Sequence, residues 1–442
     1  MNKFDPKPLT IRNHCNSIVC RPGVMFFALA CFTIDAVGAS TLPGHVFARD
    51  VSSETTVLVD KASQSAYLVS IDNDQPKLVR SFDDLLFGEN GGDKTREGDK
   101  RTPEGVYRIT HFIPDDKLAP IYGSGAFPID YPNPLDKIEG RNGSGIWLHG
   151  KDYEDPKKRT TRGCVAFNNN EIGELRNVLA PDTPVIITRK AEFLEPTEYL
   201  RQRENLLGVL DSFINSWEQG DMEQLGNFLH ADFLSDGKTK EGWLAHKRRL
   251  KSRNGKRSIE TDNIYVFKEN GDKVVFDFTQ LYCASNIVSR GQKKLYFQKD
   301  GDQLRLITES FRDLPSAPLV NHRVETFVKQ WLSAWKRADL NRYLELYGDG
   351  FKDNRGRDLA QWGEYKKRLF SERPNQKIEI DNIQVRPIKG DRYQVSFRQR
   401  YQSSNHSDYG IKTLMLDGCP GKFKIVSERW RAVREEPVIA GR

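Results

Sequence analysis

A duplication in the second half of the chain constrains the fold more than any other feature of the sequence. Phe213–Phe233 parallels Trp331–Phe351 at an offset of 118, with Trp217 matching Trp335, Asp221 matching Asp339 and Phe233 matching Phe351. One inserted residue moves the offset to 119, where it stays. Trp243 then pairs with Trp362, Lys247 with Lys366, Ile259–Ile264 with Ile378–Ile383, Tyr282 with Tyr401, and Glu309 with Glu428. Register held over about a hundred residues marks a structural unit present twice. Each unit opens with amphipathic helices; Val324, Phe327, Val328, Trp331 and Trp335 form one apolar helical face in the second. Each closes with several strands. That order predicts an α+β domain, with helices packed on one face of a curved antiparallel sheet. The expected units are 206–314 and 322–435, with a Pro-rich hinge at 315–321 that starts after Leu314.

A chain of 442 residues has room for about three domains. The first half must therefore hold a domain of its own. With 37% hydrophobic and 29% charged residues the composition excludes a multi-span membrane protein, and 24 Phe, 15 Tyr and 7 Trp supply several cores. The net charge of +7 is spread along the chain, which is not the footprint of a nucleic-acid-binding domain.

Residues 1–39 read as an export signal. Lys3, Lys7, Arg12 and Arg21 precede the apolar run Val24–Ile34, and Ala36-Val37-Gly38-Ala39 offers small residues for cleavage after Ala39. An uncleaved signal would instead leave a membrane anchor. Cys15, Cys20 and Cys31 fall inside this segment, so the mature chain keeps Cys164, Cys283 and Cys419. An odd number argues against a scaffold stapled by disulfides and leaves at least one thiol to be examined for reactivity. No paired Cys/His spacing points to a metal, and no cofactor motif is present.

Residues 54–190 are strand-rich and punctuated by Gly and Pro, which predicts a mostly β domain with long loops. Thr56–Asp60 and Ala66–Ser70 read as a hairpin and Pro184–Thr188 as the last strand. A linker helix is expected over 191–205, its apolar spacing continuing through Leu206, Leu210, Phe213 and Trp217. The chemistry lies in Ile146-Trp147-Leu148-His149-Gly150 and Thr160-Thr161-Arg162-Gly163-Cys164-Val165. A cysteine becomes a nucleophile when a histidine takes its proton and a positive setting favours thiolate. Arg162 and Lys157-Lys158-Arg159 offer that setting. Gly163 permits an unusual backbone conformation. By residue type alone, a small buried Cys and a structural His compete with this reading.

His149-Gly150 followed by Thr161-Arg162-Gly163-Cys164-Val165 resembles the signature of the L,D-transpeptidase (YkuD) family. Gly98-Asp99-Lys100-Arg101-Thr102-Pro103-Glu104-Gly105-Val106-Tyr107 resembles an upstream block of that family, and Gly125–Asn133 resembles a segment of its cell-shape and YafK-like branch. The family's frequent Arg two residues after the nucleophile is Ala166 here, while Asn168-Asn169-Asn170-Glu171-Ile172 is similar to the cell-shape L,D-carboxypeptidase branch. The repeats resemble the cone-shaped fold of the nuclear transport factor two superfamily in element order. The resemblance implies a peptidoglycan stem peptide as substrate. It implies Cys164 as nucleophile, His149 as proton acceptor and donor, the Gly150 carbonyl as the group orienting His149, and Gly163 in the oxyanion hole. Thr161, Arg162, Trp147 and Tyr131 are the candidate substrate-binding residues. An L,D-transpeptidase in the periplasm is the leading expectation. An L,D-carboxypeptidase, an amidase releasing wall-bound lipoprotein, and a non-enzymatic wall scaffold are the alternatives.

For the remaining residues the plain reading is structural. Cys283 and Cys419 occupy non-equivalent repeat positions. The repeat tryptophans fill cores. His230, His246 and His406 lack metal spacing, and Lys247–Lys251 reads as a solvated helix face. The repeats themselves are expected to bind glycan strands, other wall proteins or a second copy.

Overall fold

The computed structural model describes residues 41–51, 53–270, 272–373, 376–404 and 406–434. The expected export signal and its three cysteines lie outside the described residues. The described residues form one structural unit.

The run Val57-Leu58-Val59 is apolar without alternation because both of its faces are buried. Strand Ser53–Asp60 pairs antiparallel with Ser65–Asp72, Val57 opposite Leu68, and parallel with Pro184–Thr188. The five-stranded sheet runs Gln75–Phe82, Ser65–Asp72, Ser53–Asp60, Pro184–Thr188, Gly105–Arg108. On one side Val57, Val59 and Leu68 meet Phe82, Tyr107, Phe127, Leu148 and Phe167. On the other, Leu58, Val69 and Ile186 join Tyr265, Phe267, Val275 and Tyr296 of the first repeat. The β domain and the first repeat therefore share a core. A second sheet, ordered Val165–Phe167, Trp147–Gly150, Gly125–Pro128, Ile113–Pro114, carries the His and Cys segments.

Both repeats fold as expected. In the first, helices Pro196–Gln219, Met222–Phe228 and Lys240–Asn254 cover one sheet face; Phe213, Trp217, Leu225 and Trp243 pack on Val266, Phe276 and Phe297. In the second, helices Ala317–Lys336, Leu340–Glu345 and Leu359–Glu372 do the same, with Trp331 and Trp335 against Phe397 and Tyr401. Asn263 and Asn382 take the same left-handed conformation (φ 48° and 55°) at matching bulges in the first long strand of each sheet.

Several details depart from the sequence reading. The helical spacing through Trp217 is borne out by one unbroken helix, Pro196–Gln219, so no break separates the linker from the repeat. Only Pro315 and Ser316 separate the last strand of the first repeat from the first helix of the second. Strand Val46–Arg49, which the sequence did not announce, completes the first repeat's sheet beside Arg257–Lys268, with Phe47 opposite Val266. Lys247 is not on a solvated face: it is 7% exposed. Its Nζ lies 3.9 Å from the Trp217 ring centre, near the Lys293–Glu309 ion pair. Burial pushes its pKa down to about 8. Lys366, Trp335, Lys412 and Glu428 rebuild that cluster in the second repeat. The odd cysteine count does leave one thiol: Cys283 and Cys419 form a disulfide across the two repeats, and Cys164 is the free thiol among the described residues. Their non-equivalence follows from this, because a bond between two repeats takes one cysteine from a different place in each.

Candidate functional site

Parallel pairing of Val165–Phe167 with Trp147–Gly150 sets Ala166 opposite His149. Residues opposite one another, and residues two apart, share a face. Cys164, Ala166, Trp147 and His149 therefore lie on one face of the sheet.

The imidazole is held firmly. Its Nδ1 is 2.6 Å from the Gly150 carbonyl oxygen. A carbonyl only accepts, so Nδ1 carries the proton and Nε2 presents a lone pair. His149 is 5% exposed. Burial lowers its pKa to about 4, against the Gly150 bond, and Lys158 lowers it further. Tyr122 stands edge-on to the imidazole at 5.2 Å and packs on Trp147 at 4.6 Å.

The turn that carries Cys164 is built from a threonine hydroxyl and a glycine. Thr161 Oγ1 donates to the Cys164 carbonyl at 2.7 Å and accepts the Gly163 N–H at 3.0 Å. Gly163 has φ +133°, and a Cβ there would stand 2.8 Å from the Arg101 carbonyl oxygen. The upstream block supplies that neighbour. Asp99 receives Lys94 Nζ at 2.8 Å and the N–H groups of Thr95, Arg96 and Arg101. These bonds outweigh burial and hold its carboxyl well below the usual range. They lock the loop against which the turn rests.

Cys164 Sγ is half-buried and faces the Gly145 carbonyl at 3.4 Å. Burial pushes the thiol up to about 11, opposed by the Trp147 N–H and by Lys94. The resting pair is thus a neutral thiol and a neutral imidazole. The positive setting expected from Arg162 and Lys157-Lys158-Arg159 does not reach the sulfur; the cation that does is buried Lys94, whose distant position in sequence gave no signal.

The structure separates the other expected site residues. The Gly163 N–H is spent on Thr161, which removes it from the free oxyanion donors. Thr161, 8% exposed, is a turn lock facing inward. Tyr131 is 6% exposed, lies in the domain core and gives its hydroxyl to the Asn142 carbonyl at 3.1 Å. Trp147 is half-buried on the same face as Cys164, and Arg162 is exposed with no ion pair among the described residues. Two residues have roles that the sequence did not reveal: Tyr122, in a Gly- and Pro-punctuated loop, and Asn169, which stood out only within a family-like segment. The Asn169 carboxamide accepts the Ser124 N–H at 2.9 Å and donates to the Lys151 carbonyl at 3.0 Å. Gly123 and Gly150 make room for it, since a Cβ at either would fall 2.1 Å from its Oδ1. Asn169 thus joins the Tyr122 loop to the end of the His149 strand. No cluster of three or more His, Cys, Asp or Glu side chains suited to a metal occurs among the described residues.

Sequence and structure comparisons show which known domains the chain resembles. The family model of the L,D-transpeptidase catalytic domain matches residues 54–187. That of the Cds6 C-terminal NTF2-like domain matches twice, at 205–310 and 323–429. The structure of Bd1075 from Bdellovibrio bacteriovorus is 28% identical, covers 62% of this chain and 99% of its own, and aligns with a TM-score of 0.57. The helical cell shape determining protein Pgp2 from Campylobacter jejuni is 24% identical, with 61% and 95% coverage and a TM-score of 0.52. No curated protein matches the chain. Residues 54–187 belong to the L,D-transpeptidase catalytic-domain family of peptidoglycan-modifying enzymes, and two NTF2-like domains follow them.

Proposed function

We propose that this chain is an exported enzyme that cleaves the bond between the position-3 diamino acid and D-alanine of a peptidoglycan stem peptide through a Cys164 thioester. The observation that carries this reading is the Nδ1–Gly150 bond, which leaves Nε2 of a neutral His149 as a base on the face that bears Cys164. Sulfur attacks the carbonyl carbon while its proton passes to Nε2. Because the free thiol and imidazole are both neutral, transfer accompanies attack rather than preceding it. The Cys164 N–H, beside the carbon under attack, is the proposed oxyanion donor. Collapse breaks the C–N bond, His149 protonates the departing D-alanine amine, and the thioester remains. An acceptor amine then gives a cross-link, or water gives a tripeptide, with His149 taking the incoming proton in either case.

Ala166 favours the hydrolytic branch as a second reading. It is buried beside Leu86, whose backbone exchanges two hydrogen bonds with it. It offers no charge to hold an acceptor carboxylate. Export is supported by the N-terminal pattern and by the Cys283–Cys419 bond, which fits an oxidising compartment.

Residues 40–442 incubated with disaccharide-tetrapeptide muropeptides test the reading by mass spectrometry. A 3–3 linked dimer means transpeptidation, and loss of one alanine without a dimer means carboxypeptidase activity. Turnover that survives Cys164→Ala removes Cys164 from the mechanism. If intact protein gives no product, lipoprotein-linked muropeptides test the amidase alternative.

A further inference from the structure

The two NTF2-like sheets share four antiparallel strands in the same order, although Val46–Arg49 joins the first sheet and Tyr347–Asp353 the second at opposite edges, and their surroundings are opposite. In the first, the face away from the helices carries Tyr265, Phe267, Val275 and Tyr296, and the catalytic domain covers it. At an offset of 119 these become Gln384, Arg386, Gln394 and Met415. Thr279, Leu281, Ser310 and Arg312 of the first sheet become Arg398, Arg400, Arg429 and Arg431. Phe267 and Leu281 thus give way to Arg386 and Arg400, Thr279 and Ser310 to Arg398 and Arg429, while Arg431 keeps the residue type of Arg312. All five arginines are exposed.

Register places them in a defined array. Ile411 stands between Arg398 and Arg431, Thr413 between Ser396 and Arg429, and Tyr409 opposite Arg400. Strand spacing puts arginines two residues apart along a strand about 7 Å from one another, and Arg398 about 10 Å from Arg431. The carboxylates on this face are engaged: Glu379 with Lys377 at 3.0 Å, Asp381 with Arg398 at 3.1 Å, Asp417 with Arg392 at 2.6 Å. Arg386 donates to Gln394 at 3.0 Å, and Arg400 lies over Tyr409 at 5.6 Å. Arg386, Arg429 and Arg431 have no carboxylate partner among the described residues. Guanidinium groups bind phosphate in two-pronged fashion. The half-exposed Tyr409, Ile411 and Met415 between them add apolar contact that a soluble polyanion would not use.

We infer that this arginine-rich sheet face of the second NTF2-like domain docks on an anionic phospholipid bilayer. Charge complementarity and interleaved apolar side chains favour a lipid surface, on which the domain lies flat. Among the described residues no helix is long and apolar enough to cross a membrane.

The test is co-sedimentation of residues 40–442, which omits the apolar run at 24–34. The vesicles are phosphatidylcholine alone, or with about a quarter phosphatidylglycerol, at low and physiological salt. The protein is expected to pellet with the acidic vesicles and less so as salt rises. Combined Arg386→Gln, Arg400→Gln, Arg429→Gln and Arg431→Gln should weaken partition by at least about 100-fold. Arg248→Gln, Arg249→Gln and Arg253→Gln, on an exposed helix of the first repeat, should leave it unchanged. Should the fourfold variant misfold by circular dichroism, Arg429→Gln with Arg431→Gln alone should still weaken binding. No pelleting of the unmodified protein, or full binding by the face variants, overturns the proposal. So does loss of binding to purified sacculi, rather than vesicles, in the face variants, since the partner is then an acidic wall polymer. Turnover of soluble muropeptide, measured in parallel, should not change in the face variants and separates this result from failure of the catalytic reading.

Discussion

Replacing Asn169 with Ala is expected to damage catalysis beyond its cost in stability. The substitution strips the partner from the Ser124 N–H and from the Lys151 carbonyl, bonds of 2.9 Å and 3.0 Å. At about 1 kcal/mol net per bond the loss is about 2 kcal/mol, and more to the extent that the Ser124 N–H stays buried. In a chain of this size that lowers the melting temperature by a few degrees. The same bonds fix the Tyr122 loop and the end of the strand that presents the Gly150 carbonyl. Once they are gone, the imidazole loses both its aromatic wall and its clamp. Misplacement on the order of 1 Å costs about 100-fold in turnover. The assay is kcat for tetrapeptide cleavage well below the melting temperature, with its pH profile. Burial is the largest cause of the low pKa of His149, about 4, so opening the wall should move the acidic limb upward toward 6.5. Asn169→Asp keeps an acceptor for Ser124 but sets an oxygen against the Lys151 carbonyl, and should fall between. A variant that melts earlier yet keeps its kcat and acidic limb would refute the positioning argument and leave Asn169 a purely structural residue.

Other outcomes follow from the same geometry. In the unmodified enzyme turnover should hold through the neutral range and fail only as pH nears about 4, where His149 takes up its proton, as a pH–rate profile would show. Stability should decline over a wider window: between pH 6.5 and about 4 the unfolded chain binds a proton that the folded imidazole refuses, a loss of up to about 3 kcal/mol as pH falls, measurable by denaturant titration. Gly163→Ala should cost about 1–3 kcal/mol and abolish turnover, because φ +133° strains any side chain and the new Cβ meets the Arg101 carbonyl. Cys283→Ser should release a constraint spanning 136 residues, about 4–5 kcal/mol in the chain-entropy view. Calorimetry should then show the second NTF2-like domain melting as a separate, earlier transition with turnover intact.

The duplication was legible because its tryptophans and its Asp-Asn bulges recur in register, and the tryptophans build the two cores. The site was legible at His149 and Cys164, where spacing and neighbouring glycines survive in one dimension. What escaped was set by three-dimensional neighbours. Lys247 sits in a run of cations and looks solvated; its partners Trp217, Lys293 and Glu309 come from other elements. Lys94 and Asn169 reach the active site only after the loops fold. Tyr131 lies in the family-like Gly125–Asn133 segment, but its side chain is directed into the core. The Gly163 N–H was assigned to the substrate because nothing in the sequence shows that Thr161 turns back to claim it.

The strand Val46–Arg49 ties the ends of this architecture together in time as well as in space. It precedes the catalytic domain, yet its partner strand begins at Arg257, more than two hundred residues later. As the chain emerges, this segment must wait with an open edge while the whole catalytic domain is made. The first NTF2-like sheet closes only after that wait, and its closing clamps the shared core from both sides. Cutting the chain after the last catalytic strand would therefore leave more than a missing accessory domain. It would leave an orphaned strand and a stripped apolar face bearing Leu58, Val69 and Ile186, so an excised catalytic domain should aggregate where the longer chain stays in solution.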